Sequence, residues 1–239
     1  MDFEYEINKW WISNGEKLIE YADAIIFLLF LIAVLYIFIF SLASLKKTRN
    51  KYPPARKKYR FAVLFPVYQG ETVIVNSVCS FLEQDYPLYM YEVIVITDSM
   101  QEKTVQTLKT LPSITVLEAG YAQSTKTNAL RLAMDYLSTK TEKYDMVVIM
   151  DADNIVNTSF LNKLNDAYYS GCLAIQTHRV AKNRNTSTAV LDAVSEEINN
   201  SIFRSGHTHL GFSSALIGSG MAFDYDWLKQ YIYKAAHVG

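Results

Sequence analysis

The chain has 239 residues, a formal net charge of −1 at pH 7 and 50 % hydrophobic residues. Near-neutral charge excludes the global basic excess of a nucleic-acid binder, and so large an apolar share is ample for a core. The two cysteines, Cys79 and Cys172, lie far apart in apolar segments, which speaks against a disulfide and for two small core residues.

In chain order, the first feature is Ile25–Leu45, an almost unbroken apolar run without a charge. It is long enough to cross a bilayer as a helix. A signal peptide fits poorly, because acids rather than bases precede the run. A buried soluble helix fits poorly too, because the run is apolar on every face. Asp2, Glu4, Glu6, Glu16, Glu20 and Asp23 stand before it, while Lys46, Lys47, Arg49, Lys51, Arg56, Lys57, Lys58 and Arg60 follow. The excess of bases after the run places that side in the cytoplasm. Trp10 and Trp11 suit the outer interface, where aromatic rings are favoured. The expected organisation is an extracytoplasmic segment 1–23, a transmembrane helix 24–45, a basic linker 46–58 and one domain over 59–239. That is a single-pass protein of the cell membrane with its main domain inside.

Beyond Tyr59 the hydrophobic pattern alternates between strand and helix. Phe61–Phe65 reads as a buried strand stopped by Pro66, and Val73, Ile74, Val78, Phe81 and Leu82 follow at helical spacing. Val93–Ile96 and Ile114–Leu117 read as further strands, and Leu130, Ala133, Met134 and Leu137 as one face of a helix opening near Lys126. Met146–Met150 is the fourth strand, with a helix through Phe160, Leu161, Leu164 and Tyr168 after it. Leu173–Gln176 and an amphipathic helix from Val190 to Ile202 precede a glycine-punctuated region. This alternation predicts an α/β fold with a mainly parallel central sheet flanked by helices.

The fourth strand ends in Asp151-Ala152-Asp153. If the strand geometry persists, both carboxylates point to one side. Such a pair suits Mg²⁺ or Mn²⁺ shared with substrate phosphates. The competing reading is a cap for the next helix, since Thr158-Ser159 is close by. No G-x-G-x-x-G follows the first strand and no G-x-x-x-x-G-K-[ST] occurs, which disfavours dinucleotide and P-loop folds.

Five motifs in order carry a resemblance: Pro66-x-Tyr68 with Glu71 after the first strand, Asp98 after the second, Lys126 opening a helix, Asp151-x-Asp153 after the fourth, and Gly218-Ser219-Gly220. Together they resemble the membrane-linked branch of the family-2 glycosyltransferases over nearly all of Phe61–Gly239. The resemblance implies the glycosyltransferase A fold, a nucleotide-diphosphate sugar donor (a UDP-sugar), inversion at the anomeric carbon, and a carbohydrate or lipid-linked acceptor in cell-surface polysaccharide or glycolipid synthesis. It also implies roles. Pro66, Tyr68, Glu71, Asp98, Lys126 and Asp151 would bind the nucleotide sugar. Asp153, with Asp151, would hold the metal, and Gly218, Ser219 and Gly220 would form the acceptor-side loop. Structural alternatives stand beside each: a turn residue for Asp98, a loop aromatic for Tyr68, a helix cap for Glu71, a solvated lysine for Lys126. The sequence departs from the family at Gln69, where Asn is usual, and in the spacing of Glu71. The family's general base is expected beyond Gly239; Asp224 and Asp226 come early for it and read as capping or surface acids. A sugar nucleotidyltransferase and a non-catalytic nucleotide-sugar-binding subunit are the rival functions.

Overall fold

The structure is a computed structural model that describes residues 2–46, 52–120 and 124–235. Lys47, Arg49 and Lys51 of the expected basic linker, and residues 236–239, lie outside the described residues. The elements in chain order are α1 (Asp2–Ser44), β1 (Phe61–Tyr68), α2 (Ile74–Phe81), a 3₁₀ turn (Leu88–Met90), β2 (Tyr91–Asp98), α3 (Glu102–Thr110), β3 (Ile114–Ala119), α4 (Lys126–Ser138), β4 (Met146–Ile149), α5 (Phe160–Tyr169), β5 (Ala174–Gln176), α6 (Ser187–Ile198), a π-helical stretch (Asn199–Gly206), α7 (His207–His209), β6 (Met221–Asp224) and α8 (Tyr225–Ala235). They group into two compact units. One comprises Met1–Lys47 with Val180–Ser214, the other Thr48–Arg179 with Ala215–Gly239. Residues 180–214 group with the N-terminal helix in this division.

In the second unit the six strands lie in the order β3-β2-β1-β4-β6-β5. β1, β2, β3 and β4 run parallel, and β6 runs antiparallel to both β4 and β5. Alternation along β1 divides the core. Phe61, Val63, Phe65 and Val67 pack with Ile74, Val78 and Phe81 of α2 and Leu161 and Leu164 of α5. Ala62 and Leu64 pack on the other face with Ala133, Met134 and Leu137 of α4 and Leu228 and Ile232 of α8. Helices on both faces explain why the central strands read as continuous apolar runs.

Two expectations are corrected here. Pro66 does not stop β1, which continues to Tyr68 in register with β2. Leu64 accepts a hydrogen bond from the Met150 N–H, so even-numbered residues of β1 turn their backbone groups toward β4. The paired register of β4 ends at Ile149, opposite Leu64. Pro66 thus sits where a strand amide has no ladder partner to lose. The cysteines are the second case: Cys79 is exposed and Cys172 only partly buried. The inward stripe of α2 is Ile74, Ser77, Val78 and Phe81, which turns position 79 outward.

In the first unit α1 is one 43-residue helix, about 64 Å long at 1.5 Å per residue. The expected span 24–45 is its second half, and the segment before it is helical as well. Its stretch Lys9–Ser44 is long and apolar enough to cross a membrane, and its large apolar side chains from Ile25 to Ile39 are mostly exposed. Trp10 and Trp11 stack on one another near its start, both exposed.

Candidate nucleotide-binding site

The strand order reverses between β1 and β4: β2 and β3 are added on one side, β4 and β6 on the other. Ligands of open α/β sheets bind beyond the carboxyl ends of the strands at such a switch point. Here the two strands separate at that end, because β1 goes on past Leu64 with β2 alone.

The loops around this opening carry the residues singled out in the sequence. Tyr68 and Asp98 are register partners at the last positions of β1 and β2. The residues after them, Gln69 and Ser99, both take left-handed conformations (φ 49° and 54°), so both strands leave the sheet at the same level. Tyr68 is exposed, whereas Asp98 is buried. The Asp98 Oδ1 accepts a hydrogen bond from Ser99 Oγ at 3.1 Å, and its buried Oδ2 has no partner among the described residues. Leaving a buried acceptor unpaired costs roughly 1–3 kcal/mol, and none of the described residues supplies a donor to this atom. Glu71 does not cap α2, which starts at Ile74 with Val73 at the N-cap. Its Oε1 accepts from the backbone N–H of Gln101 at 3.2 Å, tying the loop after β1 to the start of α3.

Lys126 opens α4 behind Thr125, whose side chain caps the helix by accepting from the Asn128 N–H at 3.1 Å. Its ammonium is not simply solvated. Nζ donates at 2.6 Å to Asp151 Oδ1 and at 2.6 Å to the carbonyl oxygen of Gly218. Three motifs distant in sequence thus meet at one cation.

The Asp-x-Asp segment has a different backbone from the one expected. β4 ends at Ile149, and Asp151–Asn154 forms a turn in which the Asn154 N–H donates to the Asp151 carbonyl at 3.1 Å. The same-side argument from strand alternation therefore does not apply. The capping alternative does not hold either. α5 begins at Phe160, and it is Asn157 Oδ1 that accepts from the Ser159 N–H and Oγ, at 3.0 and 2.8 Å. Asp153 is exposed, accepting from Asn154 Nδ2 at 3.3 Å.

The glycine loop is held from beneath. Ser219 is fully buried. Its Oγ accepts from the Asp151 N–H at 2.9 Å and donates to Asn154 Oδ1. The expected acceptor-side serine is in this conformation a brace for the aspartate turn. Gln176 clasps the same loop, accepting from the Ile217 N–H at 2.9 Å and donating to the Ser219 carbonyl at 3.0 Å. Thr177 Oγ1 donates to the Gly220 carbonyl at 2.7 Å. Gly220 has φ +61°, and a Cβ there would lie 2.5 Å from Thr177 Oγ1, so glycine is required for both conformation and space. Asn154, Gln176 and Thr177 were not singled out from the sequence. Their roles depend on a β5–β6 pairing that no local pattern announced.

Asp224 and Asp226 lie at the other end of the sheet. Asp224 is the register partner of Met146, the first residue of β4. Asp151 lies five positions further along the chain, up to roughly 16 Å at 3.3 Å per extended residue. The Asp224 carboxylate accepts from the Trp227 N–H at 2.9 Å and from the Tyr168 hydroxyl at 2.7 Å. Asp226 is exposed in the first turn of α8, where an acid favours the helix dipole. Neither is near the opening between β1 and β4.

Among the described residues no three His, Cys, Asp or Glu side chains group to hold a metal. The two aspartates of the turn, as hard oxygen donors at the carboxyl end of the sheet, fit a Mg²⁺- or Mn²⁺-type ion that takes its other ligands from phosphate and water.

The family model described as Glycosyl transferase family 2 matches residues 62–231. No curated protein matches the chain. Among solved structures, the fold is similar to that of the mannosyltransferase PcManGT from Pyrobaculum calidifontis in complex with GDP-Man and Mn²⁺, with a TM-score of 0.63 and 20 % identity over 83 % of this chain and 53 % of that one. It is also similar to S. aureus TarS 1–349 in complex with UDP, with a TM-score of 0.53 and 17 % identity over 72 % of this chain and 48 % of that one. The chain thus spans about half the length of these structures.

Proposed function

The chain belongs to glycosyl transferase family 2, and from that premise we propose that it takes part in transfer of a sugar from a UDP-sugar to a hydroxyl of a carbohydrate or lipid-linked acceptor. The anomeric carbon is inverted, and the work is done on the cytoplasmic side of a cell membrane, in cell-surface polysaccharide or glycolipid synthesis. The observation that carries this reading is the Lys126 ammonium, 2.6 Å from both Asp151 Oδ1 and the Gly218 carbonyl. It brings a lysine ammonium, an acid of the Asp-x-Asp turn and the glycine loop to one point at the strand ends, which supports a phosphate-binding role for Lys126.

The residues divide the donor between them. The unpartnered Asp98 oxygen accepts from the ring N–H of the base. Tyr68, exposed at the neighbouring strand end, packs against base or ribose. Lys126 donates to the diphosphate, exchanging its carboxylate partner for phosphate oxygen. Asp153, joined by Asp151, holds a divalent ion, which when bound neutralises charge on the departing nucleoside diphosphate. The acceptor oxygen forms its bond to the anomeric carbon as the bond from that carbon to the diphosphate breaks, the electron pair leaving with the diphosphate. The hydroxyl proton passes to a general base that none of the described residues is assigned. α1 is the anchor, with Lys46 onward inside.

The test is calorimetric titration of the membrane-reconstituted chain with UDP, GDP, ADP and CDP, with and without Mn²⁺. Uracil and guanine present a ring N–H to Asp98, whereas adenine and cytosine do not. UDP should bind most tightly, Mn²⁺ should strengthen it, and Asp153→Ala should abolish the Mn²⁺ effect. Equal affinity for all four nucleotides, or Mn²⁺ dependence surviving in Asp153→Ala, would overturn the assignment.

A further inference from the structure

α6, the π-helical stretch and α7 follow one another without a break from Ser187 to His209, after a Thr186 side chain that accepts from the Ala189 N–H. The second half of this rod packs on α1. His207 stacks on Phe40 with ring centroids 3.8 Å apart, and its Nε2 accepts from the Tyr36 hydroxyl at 2.8 Å while Nδ1 donates to the Ile202 carbonyl. A Cβ at Gly206 would lie 2.5 Å from the Phe40 carbonyl oxygen, so the absence of a side chain there lets the two helices meet at backbone distance. The first half of the rod has no such cover. None of α6 is buried. Val190, Leu191, Val194 and Ile198 recur on one side of the helix and are each 44–69 % exposed. Glu196, on the opposite side, pairs with Arg204 at 3.0 Å.

Three observations identify what covers this apolar stripe. The first is depth. Phe40 is five residues and Tyr36 nine residues from Leu45, where the uncharged run ends. That is roughly 7 and 13 Å along the helix, and an interfacial helix settles about 5–10 Å into the headgroup and acyl boundary. The second is charge. Lys182 and Arg184 are exposed just ahead of the Thr186 cap, and no acid occurs between Asp166 and Asp192. The third is continuity, since the stripe belongs to the same compact unit as the apolar helix α1.

We infer that α6 is an interfacial membrane helix, its Val190–Leu191–Val194–Ile198 face set into the cytoplasmic leaflet and Lys182 and Arg184 held by anionic lipid headgroups. Membrane binding by this surface is additional to the span itself, and it rests on the reading of α1 as a span.

The test uses the full chain with Cys79 and Cys172 replaced by serine. Single cysteines at Leu191, Asp192 or Ile32 carry an environment-sensitive fluorophore, and the protein is reconstituted in phosphatidylcholine vesicles with or without phosphatidylglycerol. Lipid-borne quenchers sit either near the headgroup or near the bilayer centre. The label at 191 should be quenched several-fold more than that at 192, and by the shallow quencher more than the deep one. The label at Ile32 should respond most to the deep quencher. The paired Lys182→Glu and Arg184→Glu variant should lose quenching at 191 in vesicles with phosphatidylglycerol. An unquenched label at 191 beside a quenched one at 32 overturns the inference alone. An unquenched label at 32 removes the membrane anchor and this inference with it. Excimer formation between pyrene-labelled chains at 191 would show a second copy on the stripe and refute the lipid assignment, and persistence of quenching in the double variant would refute the role of the two bases.

Discussion

Replacing Lys126 by alanine should move two affinities in opposite directions. In the free protein its ammonium sits 2.6 Å from Asp151 Oδ1, with both side chains 40 % exposed. An ion pair so open to solvent is worth about 0.2–1 kcal/mol. It nevertheless occupies an oxygen of the proposed metal site. Removing the cation should therefore raise the affinity for Mn²⁺ alone, up to about five-fold for 1 kcal/mol. With nucleotide present the balance reverses. On the proposed reading Lys126 then donates to the diphosphate, and a hydrogen bond to a charged group contributes about 1.5–3 kcal/mol, so UDP affinity should fall about 10- to 150-fold. Uridine, which carries no phosphate, should bind as before. Titration of the variant with Mn²⁺, UDP and uridine in separate experiments reads all three. Loss of folded stability with unchanged UDP affinity would refute the reasoning and leave Lys126 as a clasp between the aspartate turn and the glycine loop.

Asp98→Ala should weaken UDP with or without Mn²⁺, because its proposed partner is the base; a loss seen only with metal present would place Asp98 in the metal site instead. Asp224→Ala should lower thermal stability by about 1 kcal/mol, the usual worth of a helix cap, and leave UDP affinity unchanged, so a lost nucleotide response in calorimetry would contradict its placement at the far end of the sheet. Glu92 tests a polar cluster away from the site. Its carboxylate accepts from Thr115 Oγ1 at 2.7 Å and the Tyr136 hydroxyl at 2.9 Å, and also from the Tyr144 hydroxyl. Burial alone would raise its pKa, but those hydroxyls and the Lys140 ammonium outweigh it and hold it below the ordinary value of 4.5. A depressed carboxylate stabilises the fold above its unfolded pKa and loses that contribution as pH falls through the folded one. Glu92→Gln should therefore cost roughly 1–3 kcal/mol at neutral pH and flatten the fall in thermal stability below pH 4.5; a variant whose acid limb matches the parent would refute this.

The parallel half of the sheet was legible because its signals are local. β1, β2, β3 and β4 are apolar runs ending at Tyr68, Asp98, Ala119 and Ile149, and the polar residues just beyond them mark where ligands meet such sheets. What the sequence concealed depends on partners far along the chain. β6 is four residues, Met221–Asp224, defined by pairing with β4 and β5 on either side. α3 has only Val105 and Leu108 buried, too few to stand out as a periodic face. The turn at Asp151–Asn154 was hidden for the same reason, since its shape is fixed by Ser219, sixty-eight positions from Asp151.

That long-range brace bears on how the site works as a unit. The Asp151 N–H, the Asn154 side chain and the Ser219 hydroxyl form one hydrogen-bonded set, and Gln176 and Thr177 hold the same loop from β5. The wider contact adds the Lys126–Asp151 ion pair, and the two partners of the ammonium lie far apart in sequence, Asp151 on the turn and Gly218 on the loop. If a diphosphate draws Lys126 away, as proposed, the turn and the loop lose their exposed tie but keep the buried one through Ser219. Buried, mutually satisfied hydrogen bonds resist rearrangement more than a solvent-exposed ion pair does. On the proposed reading, donor binding would therefore release the Gly218 carbonyl and the peptide before Ser219 without disturbing the aspartates, and the glycine loop would respond to an occupied donor pocket while Asp151 and Asp153 stay in place.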